Sequence, residues 1–500
     1  MHDVWCMLFE ASALFAELDF AAQLRLGRVS REARALYRIT WARMWRARRD
    51  VLCFPEFPRI LFAAVNGGAE AHVHALLQKL DESHAKMLCR TLGGRSVLHI
   101  AVHKQVHMRL RTRVTRSGYQ TTPELELVRR LLDAGGPNLA CVKIRDSRNS
   151  RQDRSNALHI AAQGRCVLTA RMLLGVGGAP LLMQRNSDEE SCLHVGAENG
   201  SLQVLKTLID AGGGPLVLRR DSCGNTALHL AAVFGKLLLA ECLLDVGGTE
   251  LLFMANDVGE TCLFLAAKFG HVPVVKRLAA AGGRELAFQT RFCGSSCLHV
   301  SVQEKDLDVA LALLNVGGRE LVLLPQADGT SCMHLAALTG RVSMATLLLG
   351  FGGRELLMQR KDSGASCLDV AAQKGHLDVV LMLAQSGGRE LIMMSDWHGR
   401  TCLWLAAKNG HLEVVRTLIG AGGRELLMAT TNNGRTCLWA SAVQGHSKTV
   451  DILLTAGGRE LLALTNVAGP PLAAACVHAG QDGVVTLLTQ AEASLPSLPP

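Results

Sequence analysis

Residues 399–433 read GRTCLWLAAKNGHLEVVRTLIGAGGRELLMATTNN, and this 35-residue unit recurs through most of the 500-residue chain. Its most regular feature is a pair of glycines that returns in every unit. The first glycines of these pairs are Gly177, Gly212, Gly247, Gly282, Gly317, Gly352, Gly387, Gly422 and Gly457. A fixed period indicates one small unit that buries its apolar face by stacking on copies of itself. Such stacks present long surfaces rather than deep pockets, so we expect a binding function.

The unit at residues 399–433 predicts two short amphipathic helices. Apolar residues recur at three-to-four spacing, first at Leu403, Ala406 and Ala407. A second set runs from Val414 to Ile419 with the same spacing. The two alanines leave little side chain between the helices, so neighbouring hairpins can approach closely and stack.

Polar and glycine residues mark the expected ends of these two helices. Thr401 is expected to cap the first helix through its hydroxyl oxygen. Gly410 is expected to end that helix in the left-handed conformation, and Gly422 to end the second helix in the same way. Residues from Leu426 to Gly434 are expected to form an extended connection to the next unit.

Composition indicates a core built from Leu, Ala, Val and Met. Apolar residues make up 49% of the chain, but aromatic residues only 4%. The net charge is +9, and residues 101–155 hold 12 Lys and Arg against 5 Asp and Glu, a local balance of +7. A basic face along the whole array, as a general nucleic-acid binder would have, is therefore not predicted.

The 16 cysteines do not by themselves indicate a secreted disulfide scaffold. The opening residues MHDVWCMLFE carry neither a basic start nor an apolar signal region. The sequence contains no run of about 18 apolar residues, so no membrane span is predicted. We therefore expect a monomer inside the cell, cytoplasmic or nuclear, without membrane association and with reduced cysteines.

The motif TCLWLAA at residues 401–407, followed by GH and the glycine pair, resembles the ankyrin repeat, whose consensus carries TPLHxAA, GHxxVVxxLL and GAD. The motif recurs at residues 191–197, 226–232, 296–302, 331–337, 366–372 and 436–442. Here the usual proline is a cysteine in seven units, and GGREL replaces GAD with two extra residues. The resemblance covers residues 58–493. It implies an all-α helix-turn-helix solenoid of about 12 stacked repeats with extended finger loops.

The ankyrin resemblance implies a scaffold for protein–protein interaction rather than an enzyme. Families of this kind bind partners on the concave side that carries the fingers. No phosphate-binding loop, paired carboxylates or serine-histidine-acid grouping stands out in the sequence, so no catalytic residue is predicted. The competing hypothesis is a metal or redox enzyme that uses recurring cysteines and histidines.

Those cysteines and histidines form two columns of equivalent positions, which we expect to be structural. The cysteines are Cys192, Cys262, Cys297, Cys332, Cys367, Cys402 and Cys437, and the histidines are His99, His159, His194, His229, His299 and His334. Positions two apart on a helix point about 200° apart. Stacked helices lie about 8–10 Å apart, too far for a disulfide. Since zinc needs four converging ligands, we predict no metal and no cofactor; CGSSCLH at residues 293–299 is the best local cluster.

Two further recurring sets are also expected to be structural. His271, His376, His411 and His446 follow the glycine after the first helix, and the resemblance implies that they tie down that turn. Arg-Glu pairs recur after the glycine pair, so that the arginine of one unit can meet the glutamate of the next. These pairs are Arg284/Glu285, Arg319/Glu320, Arg354/Glu355, Arg389/Glu390, Arg424/Glu425 and Arg459/Glu460. Exposed pairs contribute only about 0–1 kcal/mol each.

Breaks in the histidine column are more informative about function. Phe264, Asp369, Trp404 and Trp439 replace the column histidine, and Trp397 lies at a predicted fingertip. Tryptophan is enriched at interface hot spots. The predicted partner-binding residues are therefore Trp397, Trp404, Lys408, Trp439 and Phe264; the alternative is that the column aromatics only pack between units.

Two segments do not follow the repeat. Residues 105–123 form a predicted basic insertion, which is either a solvated loop or an electrostatic handle for an acidic protein or RNA. Residues 1–57 predict a small helical segment in which Leu18-Asp19, Leu24 to Leu26 and Val29-Ser30-Arg31 resemble an F-box. An F-box would imply a substrate adaptor of a cullin-based ubiquitin ligase; the alternative is a helical cap. Residues 494–500 are expected to be a disordered tail.

Overall fold

The chain forms a single-file stack of helical hairpins. The computed structural model describes residues 94–111, 123–145, 153–467, 472–478 and 480–494, with the isolated positions 61, 65, 88 and 89. Within these residues there are eleven helix pairs, and the only β structure is isolated bridges. The predicted N-terminal segment, residues 1–57, and the chain beyond Ser494 lie outside the described residues, so the F-box and tail predictions are not addressed by the fold.

Each pair consists of an inner helix, which comes first, and an outer helix. In chain order they are α1 (Val97–Arg111), α2 (Pro123–Ala140), α3 (Ala157–Gln163), α4 (Val167–Leu182), α5 (Cys192–Asn199), α6 (Leu202–Val217), α7 (Ala227–Val233), α8 (Leu237–Phe253), α9 (Cys262–Lys268), α10 (Val272–Ala287), α11 (Cys297–Gln303), α12 (Leu307–Leu323), α13 (Cys332–Thr339), α14 (Val342–Leu357), α15 (Cys367–Lys374), α16 (Leu377–Ile392), α17 (Cys402–Lys408), α18 (Leu412–Leu427), α19 (Cys437–Val443), α20 (Ser447–Val467), α21 (Leu472–His478) and α22 (Asp482–Ser494).

The inner helix α17 begins and ends where the sequence predicts. The Thr401 hydroxyl accepts a hydrogen bond from the backbone N–H of Trp404 at 3.3 Å, which satisfies one of the free amides at the helix start. The helix ends just before Gly410, whose φ of +71° favours glycine. The predictions for Thr401 and Gly410 are therefore confirmed.

The glycine pair works differently from the prediction. Gly422 does not end α18 in the left-handed conformation, because the positive φ falls on Gly423, at φ 62° and ψ −156°. That region of the backbone map is accessible essentially only to glycine. Gly422 is needed for space instead, since a Cβ there would overlap Cδ2 of Leu426. The first glycine leaves room for the side chain of Leu426, and the second forms the kink in the helix.

The two extra residues of GGREL extend the outer helix rather than the finger. After the kink at Gly423, the chain makes a further helical turn that ends at Leu427. Leu426 and Leu427 are buried in the stack, so the predicted extended connection is wrong for these two residues. The extension adds apolar burial, and fully burying a leucine contributes about 1.5–3 kcal/mol.

The fingers are the segments between an outer helix and the next inner helix. Antiparallel bridges close three of them, between Ala255 and Thr261, Thr290 and Ser296, and Ser395 and Thr401. Neighbouring fingers are also joined, because the N–H of Trp397 donates to the Ser363 carbonyl at 3.2 Å. The fingers therefore stack in register with the helices.

One continuous apolar core runs through the described repeats. In the unit at residues 399–433 it buries Leu403, Ala406 and Ala407 of the inner helix and Val415 and Leu418 of the outer helix. The extensive contacts join helices of one hairpin or of neighbouring hairpins. Each unit is thus stabilised mainly by the units on either side of it.

The predicted insertion begins within a helix. α1 continues through Arg111, so residues 105–111 are helical and not part of a loop. α2 begins at Pro123, and the remaining residues of the insertion, 112–122, lie outside the described part.

Candidate functional site

Four of the six column histidines donate Nε2–H to a carbonyl of the following finger, and they are His159, His194, His229 and His334. His99 and His299 do not, because Nε2 of each has no hydrogen-bond partner. In α5, the N–H of Ser191 donates to Nδ1 of His194 at 3.2 Å, while Nε2 donates to the Asn225 carbonyl in the following finger at 3.1 Å. The equivalent His229 is buried, and burial lowers its pKa to about 4, so it is neutral at physiological pH. Both ring nitrogens are occupied by structural bonds.

The column cysteines are buried. Each begins an inner helix, and in α17 the Cys402 thiol donates to the Ile392 carbonyl at 3.5 Å. Burial raises the pKa of the equivalent Cys262 to about 12, which disfavours the reactive thiolate. The seven column cysteines are free thiols.

The cluster CGSSCLH does not converge on a point. Cys297 and His299 are buried in α11, whereas Cys293 is exposed on the preceding finger. Across the described ranges, no three histidine, cysteine or acidic side chains come close enough to hold a metal ion.

The second set of histidines joins the turns of neighbouring hairpins. Nε2 of His411 donates to the Gln373 carbonyl, in the preceding inner helix, at 3.0 Å. The ring lies against Gly375, where a Cβ would overlap Nδ1 of His411. The turn glycine is therefore required for close packing as well as for its φ of +76°.

The Arg-Glu pairs form the predicted ladder. The Arg319 guanidinium lies 2.6 Å from the Glu355 carboxylate of the next repeat. The ladder is defined by this pair and by Arg284–Glu320, Arg354–Glu390, Arg389–Glu425 and Arg424–Glu460. All of these side chains are exposed, so each pair is worth about 0–1 kcal/mol.

Two aromatic replacements in the histidine column are buried. Phe264 in α9 is 2% exposed and Trp404 in α17 is 8% exposed. Neither ring can make the bond from the column to the next finger, and Nε1 of Trp404 has no hydrogen-bond partner. Phe264 lies four repeats before Trp404, so the structure does not bring Phe264 together with the other predicted residues.

Trp397 is the exposed aromatic residue of the predicted set. It lies on a finger with 62% of its surface exposed. Its Nε1 donates to the Asp362 carbonyl at 2.7 Å, and the Arg360 guanidinium lies 5.4 Å from its ring centroid. The ring also packs against Gly364, where a Cβ would lie 2.7 Å from Trp397 Cδ2. The indole is therefore exposed yet fixed.

Cations cover the other two tryptophan rings. Nζ of Lys408 lies 5.5 Å from the centroid of Trp404, within one inner helix. The Arg435 guanidinium lies 3.8 Å from the centroid of Trp439, which is partly buried. Cation–π contacts at partly exposed sites contribute about 0.5–1 kcal/mol each.

The fingers and inner helices of residues 360–444 thus bring together four of the five predicted residues. The sequence reasoning missed Arg360 and Arg435, which cover two of the rings. For Arg435 the signal was available, because it precedes the helix-capping threonine in the sequence GRT, as Arg400 does in the preceding unit. No sequence signal indicated Arg360, whose contact depends on how two fingers stack.

No helix within the described residues is long and apolar enough to cross a lipid bilayer.

Comparison with known proteins identifies the repeat. A family model of ankyrin repeats, three copies long, matches residues 169–252, 193–288, 228–321, 298–392 and 388–465, which together span more than half of the chain. Among solved structures, the chain is similar to the crystal structure of the ankyrin repeat domain of Bcl-3, described as a unique member of the IkappaB protein family. The identity is 26%, the TM-score is 0.40, and the match covers 46% of this chain and 98% of that chain. No curated protein sequence matches the chain. The chain belongs to the ankyrin-repeat family, whose arrays are scaffolds for binding other proteins.

Proposed function

We propose that the chain binds a partner protein along the fingers and inner helices of residues 360–444, and that it has no catalytic activity. The observation that carries the proposal is Trp397, which is 62% exposed but held by a hydrogen bond and by a neighbouring finger. A large apolar side chain that is already ordered loses little entropy on binding. Such residues dominate binding energy at interfaces.

The test is affinity capture with the full-length chain and two single variants. Trp397→Ala removes the fixed indole, and Phe292→Ala removes another exposed fingertip aromatic, three repeats earlier and 83% exposed. We expect a set of proteins that Phe292→Ala retains and Trp397→Ala loses. Equal recovery by both variants would contradict the proposed location.

We also propose a second role, as an adaptor that docks onto a cullin-based ubiquitin ligase through residues 1–57. The support is the sequence pattern of Leu18-Asp19, Leu24 to Leu26 and Val29-Ser30-Arg31. Affinity capture with the full-length chain should recover ligase components, and a version lacking residues 1–57 should lose them. Their absence from both baits would remove this role and leave the scaffold intact.

We further propose that the protein is an intracellular monomer, cytoplasmic or nuclear. The ladder arginines and glutamates pair within one chain, so this surface needs no second copy to neutralise it. Light scattering during size-exclusion chromatography should give the mass of one 53.7 kDa chain. A mass of twice that value would contradict the proposal.

A further inference from the structure

Four cations on the fingers and inner helices of residues 360–444 have no ion-pair partner among the described residues. They are Arg360, Lys374, Lys408 and Arg435, and we call them, with Trp397, Trp404 and Trp439, the cationic face. Several cations elsewhere in the array are closely paired. The ladder arginines each meet a glutamate, and nearer the N-terminus Lys268 and Arg291 both approach Glu260.

The acidic residues of the same region do not neutralise the cationic face. Asp396 is buried and already paired with Arg400 at 2.6 Å. Asp369 is buried in α15 and bonded to Ser366. Among the fingers and inner helices between residues 360 and 444, Asp362 is the one exposed carboxylate. Four cations thus stand against one exposed carboxylate in this region, so the cationic face carries a net positive charge.

Three of the four cations are held against rings. Arg435 lies 3.8 Å from the centroid of Trp439, Arg360 lies 5.4 Å from that of Trp397, and Lys408 lies 5.5 Å from that of Trp404. A guanidinium stacked on a ring keeps its N–H edge available for a carboxylate. Because the side chain is already ordered, less entropy is lost when the carboxylate binds.

Hydrogen bonds between fingers join the repeats that carry these cations. Arg360 donates to the Ser395 carbonyl at 3.1 Å, and Asn432 Nδ2 donates to the Trp397 carbonyl at 2.8 Å. Consecutive repeats are therefore locked together, at the roughly 8–10 Å spacing of packed helices. A polyproline II segment rises about 3.1 Å per residue with three residues per turn, so every third side chain lies on one face and matches one repeat.

We infer that the cationic face binds an acidic segment of a partner protein in the polyproline II conformation, with carboxylates at about every third residue received by Arg360, Lys408 and Arg435. This inference rests on the proposed function and names the chemistry of the partner. A single-stranded nucleic acid fits less well, since it would need free ring faces on which to stack its bases. Here cations cover the rings, and Trp397 also packs against Gly364.

The test is fluorescence anisotropy with full-length protein and labelled peptides. The probe is a Gly-Ser peptide of about 15 residues with glutamate at every third position, long enough to span the three repeats. A matched peptide carries glutamine at those positions, and a third carries all its glutamates together at one end. We expect the spaced glutamate peptide to bind at least ten times more tightly than the other two.

Two double variants separate site binding from general attraction. Lys408→Gln with Arg435→Gln removes two charges from the cationic face, and Arg319→Gln with Arg354→Gln removes two from the ladder. We expect the first pair to weaken binding at least tenfold and the second less than twofold. Circular dichroism checks that both fold, and Arg360→Gln alone provides a smaller change on the same face.

Three results would overturn the inference: no preference for the glutamate peptide, equal loss in the two double variants, or tighter binding of an oligouridine of equal charge. If Trp397→Ala still loses captured proteins while the peptide does not bind, the proposed function stands and only the acidic character of the partner fails. If Trp397→Ala loses nothing, both proposals fail.

Discussion

The residue at the histidine-column position makes all its polar hydrogen bonds in some repeats and lacks one in others. In α7, His229 receives the Thr226 N–H at 3.1 Å and donates to the Glu260 carbonyl of the next finger at 3.2 Å. In α15 and α17 the column holds Asp369 and Trp404, and both Oδ1 of Asp369 and Nε1 of Trp404 lack a partner. Bonds are also missing in earlier repeats, for example at Nε2 of His299. In residues 360–444 the missing bonds coincide with the unpaired cations of the cationic face. Under the proposed function, the earlier repeats serve mainly for stacking and the repeats of residues 360–444 bind the partner.

The strongest test of this comparison is to remove a column histidine that makes both hydrogen bonds. His229→Ala leaves the Thr226 N–H and the Glu260 carbonyl buried without a partner and creates a small cavity. We expect the free energy of unfolding to fall by about 3 kcal/mol. Urea denaturation measures it, with the exposed fingertip variant His398→Ala as the control, for which we expect a change within about 0.5 kcal/mol.

Replacing Asp369, which lacks a partner for Oδ1, should instead raise the stability, by an amount that depends on pH. Burial, reinforced by the charge of Asp396, raises the pKa of Asp369 to about 7. The folded state then holds a proton that the unfolded chain releases near pH 4, so stability falls as the pH rises from about 4 to about 7.

Asp369→Asn cannot ionise and still accepts the bonds from Ser366. We expect it to be more stable than the parent by about 2 kcal/mol at pH 8, with the difference shrinking toward pH 5. Thermal unfolding at several pH values measures this, with the exposed Asp362→Asn as control. A constant difference across pH would show that ionisation is not the cause.

The kink at the second glycine occurs in both regions, so a substitution there should destabilise each region to a similar extent. Gly423→Ala places a side chain at φ 62° and ψ −156° and should cost about 1–3 kcal/mol. Gly420 lies in the same helix with nothing within 4 Å of the place a Cβ would take, so Gly420→Ala should stabilise by about 0.5–1 kcal/mol. Equal effects of the two substitutions in urea denaturation would contradict the role of the kink.

The ladder should show the smallest effect. Arg319→Ala breaks an exposed pair with Glu355, and we expect a loss of less than about 1 kcal/mol that shrinks further in high salt. Urea denaturation at low and high salt measures it. A loss as large as that of His229→Ala would mean that the ladder, and not the column, holds the repeats together.

The sequence predicted those features that depend on position within equal units. The caps at Thr401 and Gly410 and the ladder contact from Arg319 to Glu355 follow from a period of 35 residues. The sequence could not distinguish Gly422 from Gly423, because the two look alike and only the backbone geometry shows which one is kinked.

The candidate site was predictable in part. Tryptophans in the column marked the right repeats, but burial of Trp404 and exposure of Trp397 depend on side-chain packing that the repeat pattern does not encode. The contact of Arg360 with Trp397 joins two fingers 37 residues apart, so it emerges only from the stacking. The unpaired state of the cations is likewise a property of the assembled array.

The most direct test of the proposed partner site in the later repeats is hydrogen–deuterium exchange of the full-length protein with and without the spaced glutamate peptide. We predict slower exchange in residues 395–410 and 430–446, which hold the fingers and inner helices of the cationic face, and no change around His229. Protection spread evenly along the array, or confined to the earlier repeats, would contradict the account.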